Sequence, residues 1–207
     1  MVVKQLLQGF LWAILAFLSL YLGIITFAYF SLRTDIGFLL AKQDFITDRA
    51  WMAAFYIHIS SCILVVLTGP FQFVKKLRQR YLSLHRTLGK VYVGAVLFLA
   101  APSGFYMALY ANGGFWSQAG FTVLSLLWFG FTFLAYKRVR EHNITEHKKW
   151  MIRSYALSFS AVTLRLYVPL LSLYFGWEHD FVVPITAWIN WIPNLLVAEW
   201  IIRRTVK

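Results

Sequence analysis

The chain has a single cysteine and few acidic residues, and these shortages exclude several kinds of function. Cys62 has no second cysteine to pair with, so an intrachain disulfide and a CxxC-type metal site are both excluded. Asp and Glu together number only 8. Nucleophile motifs, phosphate-binding loops and dinucleotide fingerprints are also missing. We therefore identify no catalytic residue, and whether the protein is an enzyme stays open at this point.

The opposite charge is abundant, since 20 Lys and Arg residues give a formal net charge of +12. A charge of this size suggests nucleic-acid binding until its distribution is considered. Residues 75–90 and 137–153 hold six Lys or Arg each, Lys4 is near the N-terminus, and three more lie in the C-terminal tail. These sixteen of the twenty basic residues fall at alternate ends of the apolar segments. This is the positive-inside pattern of membrane proteins. It predicts cytoplasmic N and C termini and contact with anionic membrane lipids, with no nucleic acid as a partner.

Long polar stretches are lacking as well, because 60% of the residues are hydrophobic and only 14% are charged. Apolar runs of membrane-spanning length without alternation must form helices, since lipid offers the backbone no hydrogen bonds. We predict an all-α fold, a six-helix transmembrane bundle forming a single domain over residues 1–207. The helices are expected at about 6–30, 51–74, 84–111, 119–138, 144–176 and 184–204. The first run is too long for a signal-peptide core, so we expect it to be retained.

A charged residue falls deep inside the fifth predicted helix. Asn143 followed by Glu146 predicts a helix N-cap, so this helix should begin near Ile144. Arg165 comes eighteen residues after His147 on the same face, which places it roughly 27 Å farther along the helix. No carboxylate lies at its level. The charge is therefore left for hydrogen-bond acceptors, water or an anionic ligand.

Three other polar residues inside predicted helices join Arg165 in the predicted ligand-binding set. His58 and Asn190 fall at a similar, outer-to-central depth, whereas Gln72 lies on nearly the same helix face as His58 but at the inner level of His85 and His147. The predicted ligand-binding set is His58, Arg165, Gln72 and Asn190. The alternative is structural: Arg165 bonds to carbonyls freed by prolines, and His58 is an interhelical hydrogen-bond partner.

Two histidines begin helices at the opposite, cytoplasmic level. His85 and His147 each lie in the first turn of a helix, and one hypothesis makes them the axial iron ligands of one haem b. Three basic residues at this level would receive the haem propionates: Arg86, Lys90 and Arg153. The alternative is that both histidines are solvated residues of the membrane interface. Glu199, also near this level, is expected to pair with Arg203 one turn on.

Three functional hypotheses follow. The first is a redox membrane protein that binds one haem b and passes electrons to or from a quinone or another small acceptor near His58 and Arg165. The second is a non-enzymatic carrier or a lipid- or anion-binding protein centred on Arg165, for which Gly69-Pro70, Pro169 and Pro193 would bend helices around a cavity. The third is an accessory subunit of a larger membrane complex, or a homo-oligomer, which the aromatic content of 19% suits.

Two stretches resemble a known family. HISSCILVVLTGPFQFVKKLRQRYLSLHRTLGKVYV (58–93) and HKKWMIRSYALSFSAVTLRLYVP (147–169) resemble the DUF2306 predicted membrane proteins of bacteria. The resemblance implies a multi-pass protein of the bacterial cytoplasmic (inner) membrane and supplies no settled activity. The helix count and the histidines are also faintly similar to cytochrome b561-like haem proteins. Because the fourth predicted helix has no histidine, we expect one haem at most.

Overall fold

Helices joined by short turns make up the computed structural model of the protein, which describes residues 17–175 and 179–206. Five helices are long and apolar enough to cross a membrane. They are α2 (Arg49–Phe73), α4 (Leu82–Ala108), α5 (Gly114–Arg140), α6 (Ile144–Tyr174) and α7 (Phe181–Thr205). A shorter apolar helix, α1 (Phe17–Ser31), precedes them, and the short α3 (Lys75–Arg80) follows α2.

The all-α prediction is confirmed, since these described residues contain no strand. The five spanning helices correspond to the second to sixth predicted ones. The first predicted span, at about 6–30, begins among residues outside the described part, so the count of six spans stays a prediction. The cytoplasmic position of the termini stays one as well.

Side-chain caps fix where two spanning helices begin. Asn143 Oδ1 accepts a hydrogen bond from the backbone N–H of Glu146 at 3.1 Å, and α6 begins at Ile144 as the capping pattern predicts. Asp48 Oδ1 accepts from the Ala50 N–H at 2.8 Å and caps α2 in the same way. These bonds satisfy donors that a helix start otherwise leaves without partners.

The middles of several helices depart from regular α-geometry. In α2 the α-helix ends at Thr68, and Pro70–Phe73 continues as a tighter 3₁₀ turn just after Gly69. In α4 a π-helical turn, Val96–Ala100, comes just before Pro102. Such turns leave carbonyl groups available to side chains.

The most pronounced breaks are in α6 and α7. The α-helical segments Ile144–Ser158 and Ser160–Phe175 meet at Phe159, although neither glycine nor proline marks this position. The helix then runs on through Pro169. In α7 the segments His179–Ile189 and Ile192–Thr205 are separated at Asn190 and Trp191, just before Pro193.

The main packed core lies among α2, α4, α5, α6 and α7. Its largest buried side chains include Tyr92, Trp128 and Tyr155. Gly69 permits the closest approach, because a Cβ there would overlap the Tyr155 ring. Large apolar residues remain on the outside, such as Leu173, which is 81% exposed, and this surface is the one that faces lipid in a membrane-spanning bundle.

A buried lysine fastens the loop between α1 and α2 to the turn between α4 and α5. Lys42 lies in the 3₁₀ segment Gly37–Phe45, is 3% exposed, and donates to the Tyr110 carbonyl and to Asn112 Oδ1. Asn112 Nδ2 donates back to the Ala41 carbonyl at 2.9 Å. Burial lowers the pKa of Lys42 from 10.5 to about 8.

Candidate ligand site around Arg165

Arg165 lies in the C-terminal half of α6, beside an apolar cleft. It is nine residues from Tyr174, or roughly 13 Å from that end of the helix at 1.5 Å per residue. The side chain is half-buried. The cleft has a volume of about 170 Å³, and Arg165 is the one charged side chain among its described lining residues, which also include Phe17, Leu18, Tyr21, Leu22, Val162 and Leu166. The guanidinium therefore faces a groove between α1 and α6.

The charge of Arg165 has little compensation within the described residues. Its Nη1 donates to the Ala161 carbonyl of its own helix at 3.0 Å, and this is its only hydrogen bond there. A guanidinium carries five N–H donors, so four are left over. Arg165 forms none of the described ion pairs, and the groups within electrostatic range of it include Tyr29, Cys62 and His58, none of which is a carboxylate. The arrangement is suited to receiving an anion.

His58 lies within electrostatic range of Arg165, but its ring is engaged by neighbouring helices. Nδ1 is 2.9 Å from the Ala100 carbonyl, at the π turn of α4, and therefore carries the ring proton of the neutral imidazole. Nε2 is 3.5 Å from Cys62 Sγ, one turn along α2. A Cβ at Gly104 would lie 2.8 Å from the ring, so only glycine leaves room for it. His58 therefore links α2 to α4, which is the structural role that an interhelical hydrogen-bond partner would have.

Asn190 is not brought together with Arg165. It lies at the break in α7, where its backbone carbonyl accepts a hydrogen bond from Thr163 of α6. Thr163 and Arg165 are two positions apart, or about 200° around the helix, so they point to opposite sides. The similar depth of the two residues stays a prediction, and the fold places them on different sides of α6.

Gln72 joins the histidine at the other level instead of the Arg165 group. The Gln72 amide is buried, and its nitrogen and oxygen both have hydrogen-bond partners in one orientation. In that orientation Nε2 donates to His85 Nδ1 at 3.1 Å and Oε1 accepts from the Gly89 N–H at 3.3 Å. His85 Nδ1 is then an acceptor, so the proton of the neutral ring lies on Nε2. Gln72 therefore fixes the orientation of His85.

His147 has the opposite arrangement. Its Nδ1 donates to the Ala135 carbonyl of α5 at 2.8 Å, which leaves the lone pair of Nε2 available. Within residues 17–175 and 179–206 there is no group of three or more His, Cys, Asp or Glu side chains that could hold a metal ion. A haem held by His85 and His147 alone would involve only two such side chains, so this observation does not bear on it.

The basic residues expected at the haem propionates are divided between two environments. Arg153 donates to both carboxylate oxygens of Glu199, at 2.5 and 3.0 Å, and its guanidinium lies 4.5 Å from the Trp150 ring centroid. The expected pairing of Glu199 with Arg203 is therefore wrong, because the Glu199 carboxylate pairs with Arg153 of α6. Arg86 and Lys90 are exposed and take part in none of the described ion pairs.

A buried polar network joins α4, α5 and α6, and it is not among the sites predicted from the sequence. Tyr92 of α4 is fully buried, and its hydroxyl lies 2.8 Å from both Ser154 Oγ and Ser158 Oγ of α6. Trp128 Nε1 of α5 donates to Ser158 at 3.0 Å, and Thr132 Oγ1 is 2.7 Å from Ser154 Oγ. Two serines one turn apart in an apolar helix are the signal that could have revealed it.

The spanning helices, the lipid-facing apolar surface and the internal polar groups define an α-helical, multi-pass membrane protein. The chain belongs to the family described as "Predicted membrane protein (DUF2306)", whose model matches residues 55–202. The matched region runs from α2 to α7 and contains Arg165 and the candidate residues from His58 to Glu199, while the part of the cleft that α1 forms lies outside it. No curated protein and no solved structure matches the chain.

Proposed function

We propose that this protein binds an anionic amphiphile at Arg165 and acts as a lipid- or anion-binding membrane protein. The observation that carries the proposal is the guanidinium at the apolar cleft, where the described residues offer it one backbone carbonyl and no carboxylate. An ionised residue at this depth is costly unless it is paired or solvated. A phosphate or carboxylate group would supply the missing acceptors and charge, and Arg binds both through two parallel hydrogen bonds.

The shape of the cleft favours a ligand with a hydrocarbon chain. A volume of about 170 Å³ is below the roughly 300–1,000 Å³ typical of pockets that enclose a small molecule. An acyl chain can lie along such a groove while the rest of the molecule stays in the bilayer. The aromatic and aliphatic lining from α1 and α6 suits that contact.

The test is an analysis of the lipids that remain bound after purification in a mild detergent. We expect wild-type protein to retain an anionic lipid, and Arg165→Gln to lose it because the charge and the paired donors are removed. Arg86→Gln is the matched control, since it removes the same charge from an exposed position. Addition of inorganic phosphate distinguishes the two sources of the anion: displacement of the lipid by phosphate would indicate a site for the free anion.

Two outcomes would reject the proposal. One is equal retention of lipid and of phosphate by wild type and Arg165→Gln. The other is a wild-type protein that binds neither. Arg165→Lys keeps the charge without the planar pair of donors, so we expect it to bind with intermediate strength.

A second candidate function is electron transfer through one haem b, with a quinone or other small acceptor near Arg165. The observation that favours it is His147, whose anchored Nδ1 leaves Nε2 free in the way that metal-bound histidines require. His85 would have to exchange its ring proton and its Gln72 contact to do the same, and Arg153 would have to leave Glu199. A Soret band in purified protein, lost in His147→Ala, would support this function. A featureless spectrum after haem supplementation would reject it.

A further inference from the structure

The breaks in α6 and α7 lie against each other and are joined by side-chain hydrogen bonds. The outer segments of the two helices pack together, and so do the inner segments. Thr163 Oγ1 donates to the Asn190 carbonyl, which the break in α7 exposes. Asn194 Nδ2 donates to the same Asn190 carbonyl at 2.9 Å, and it also lies 3.2 Å from Thr163 Oγ1 and 3.3 Å from the Ala156 carbonyl, beside the break in α6. We call Thr163, Asn190 and Asn194 the helix-break site.

One strong acceptor in the helix-break site is buried and unused. Asn190 is 1% exposed, and its Oδ1 has no hydrogen-bond partner among the described residues, while its Nδ2 donates to the Thr186 carbonyl at 2.6 Å. The Ile189 carbonyl at the same break also loses its usual helical donor, because Pro193 has no N–H. Buried polar groups in native proteins almost always have partners, so an unused acceptor indicates a missing one.

From these groups we infer that the helix-break site binds one monovalent cation of the sodium type. The Asn190 carbonyl already accepts from Thr163 and Asn194, so the oxygens left for an ion are Asn190 Oδ1, the Ile189 carbonyl and the Thr163 hydroxyl. Amide, carbonyl and hydroxyl oxygens are hard ligands suited to such ions. The site contains no carboxylate, so it lacks the negative charge that a divalent ion requires. Interrupted helices whose exposed carbonyls coordinate Na⁺ near the middle of the bilayer are a recurring arrangement in membrane carriers.

The charges along α6 and α7 are compatible with a bound cation. Arg165 is close to Thr163 in sequence, but it points to the opposite side of α6, into the cleft beside α1. Glu199 is nine residues from Asn190, or roughly 13 Å along the helix, and it is neutralised by Arg153. The inference does not depend on ligand binding at Arg165.

The direct test is equilibrium binding of radioactive ²²Na⁺ to the detergent-purified full chain. We expect saturable binding of one ion per chain in wild type, and loss of that binding in Asn190→Ala and Thr163→Val. Thr163→Ser keeps the hydroxyl and should keep the binding. Thr26→Val is the matched control, because Thr26 is a buried threonine of α1 that bonds only to its own helix.

A second measurement covers variants that fold poorly. The thermal midpoint of wild type should rise by about 5–10 °C at a hundredfold excess of NaCl over the dissociation constant, relative to choline chloride at equal ionic strength. Identical midpoints in the two salts together with no ²²Na⁺ binding would overturn the inference, and a water molecule would then be the partner of Asn190 Oδ1. Sodium binding that persists unchanged in both Asn190→Ala and Thr163→Val would overturn it as well.

Discussion

Replacement of Tyr92 by phenylalanine removes one hydroxyl from the buried network and changes nothing else in side-chain shape. The hydroxyl lies 2.8 Å from Ser154 Oγ and 2.8 Å from Ser158 Oγ. Neither serine becomes an orphan, because Ser154 keeps Thr132, and Ser158 keeps Trp128 and the Ser154 carbonyl. The full penalty of a buried unsatisfied group therefore does not apply.

The expected cost follows from the two weakened contacts. Interhelical hydrogen bonds inside membranes contribute about 0.6 kcal/mol on average and up to about 1.7 kcal/mol. For a hydroxyl with two serine partners, we expect Tyr92→Phe to lower the free energy of unfolding by about 1–2 kcal/mol. Reversible unfolding in mixed detergent micelles, followed by circular dichroism, measures this difference.

The control is Tyr174→Phe, since Tyr174 is 84% exposed at the outer end of α6 and takes part in no described hydrogen bond. A loss for Tyr92→Phe no larger than that of the control would refute the network's contribution. A loss above about 4 kcal/mol would also contradict the reasoning, because it would mean that the serines have no other partners.

Two further predictions concern packing and charge. Gly69→Ala should destabilise the protein by at least about 1–3 kcal/mol, because the new methyl group overlaps the Tyr155 ring, and Tyr155→Leu should restore part of the loss if that overlap is the cause. For Lys42 the folded pKa, about 8, lies below the ordinary 10.5, so the unfolded state binds more protons between these values and stability should rise with pH across that window. Thermal midpoints measured from pH 7.5 to 10.5 should show this rise in wild type and a smaller one in Lys42→Met; equal slopes would contradict it.

The sequence predicts where residues lie along each helix, because that position depends only on where the helix begins and on its rise per residue. The spanning helices from α2 to α7, the start of α6 at Ile144 and the place of Arg165 within α6 all follow from hydropathy, capping and the helical rise.

Lateral placement could not be predicted, because it depends on which helices are neighbours and how each is rotated. Asn190 has a depth similar to that of Arg165, yet it faces Thr163 on the other side of α6. Gln72 is predicted at the level of His85, but its contact with the His85 ring depends on how α2 and α4 are rotated. The break at Phe159 carries no glycine or proline, so the helix-breaking signals that mark Pro70 and Pro193 are missing there.

The central claim is that Arg165 receives the anionic group of an amphiphile, and a binding titration measured by native mass spectrometry tests it most directly. Phosphatidylglycerol would be added to wild type, Arg165→Gln and Arg86→Gln in the same detergent. A charge-assisted hydrogen-bonded contact contributes about 1.5–3 kcal/mol, so Arg165→Gln should weaken binding of the tightest lipid by roughly 10- to 150-fold while Arg86→Gln leaves it nearly unchanged. Equal affinity of all three proteins for phosphatidylglycerol would contradict the claim.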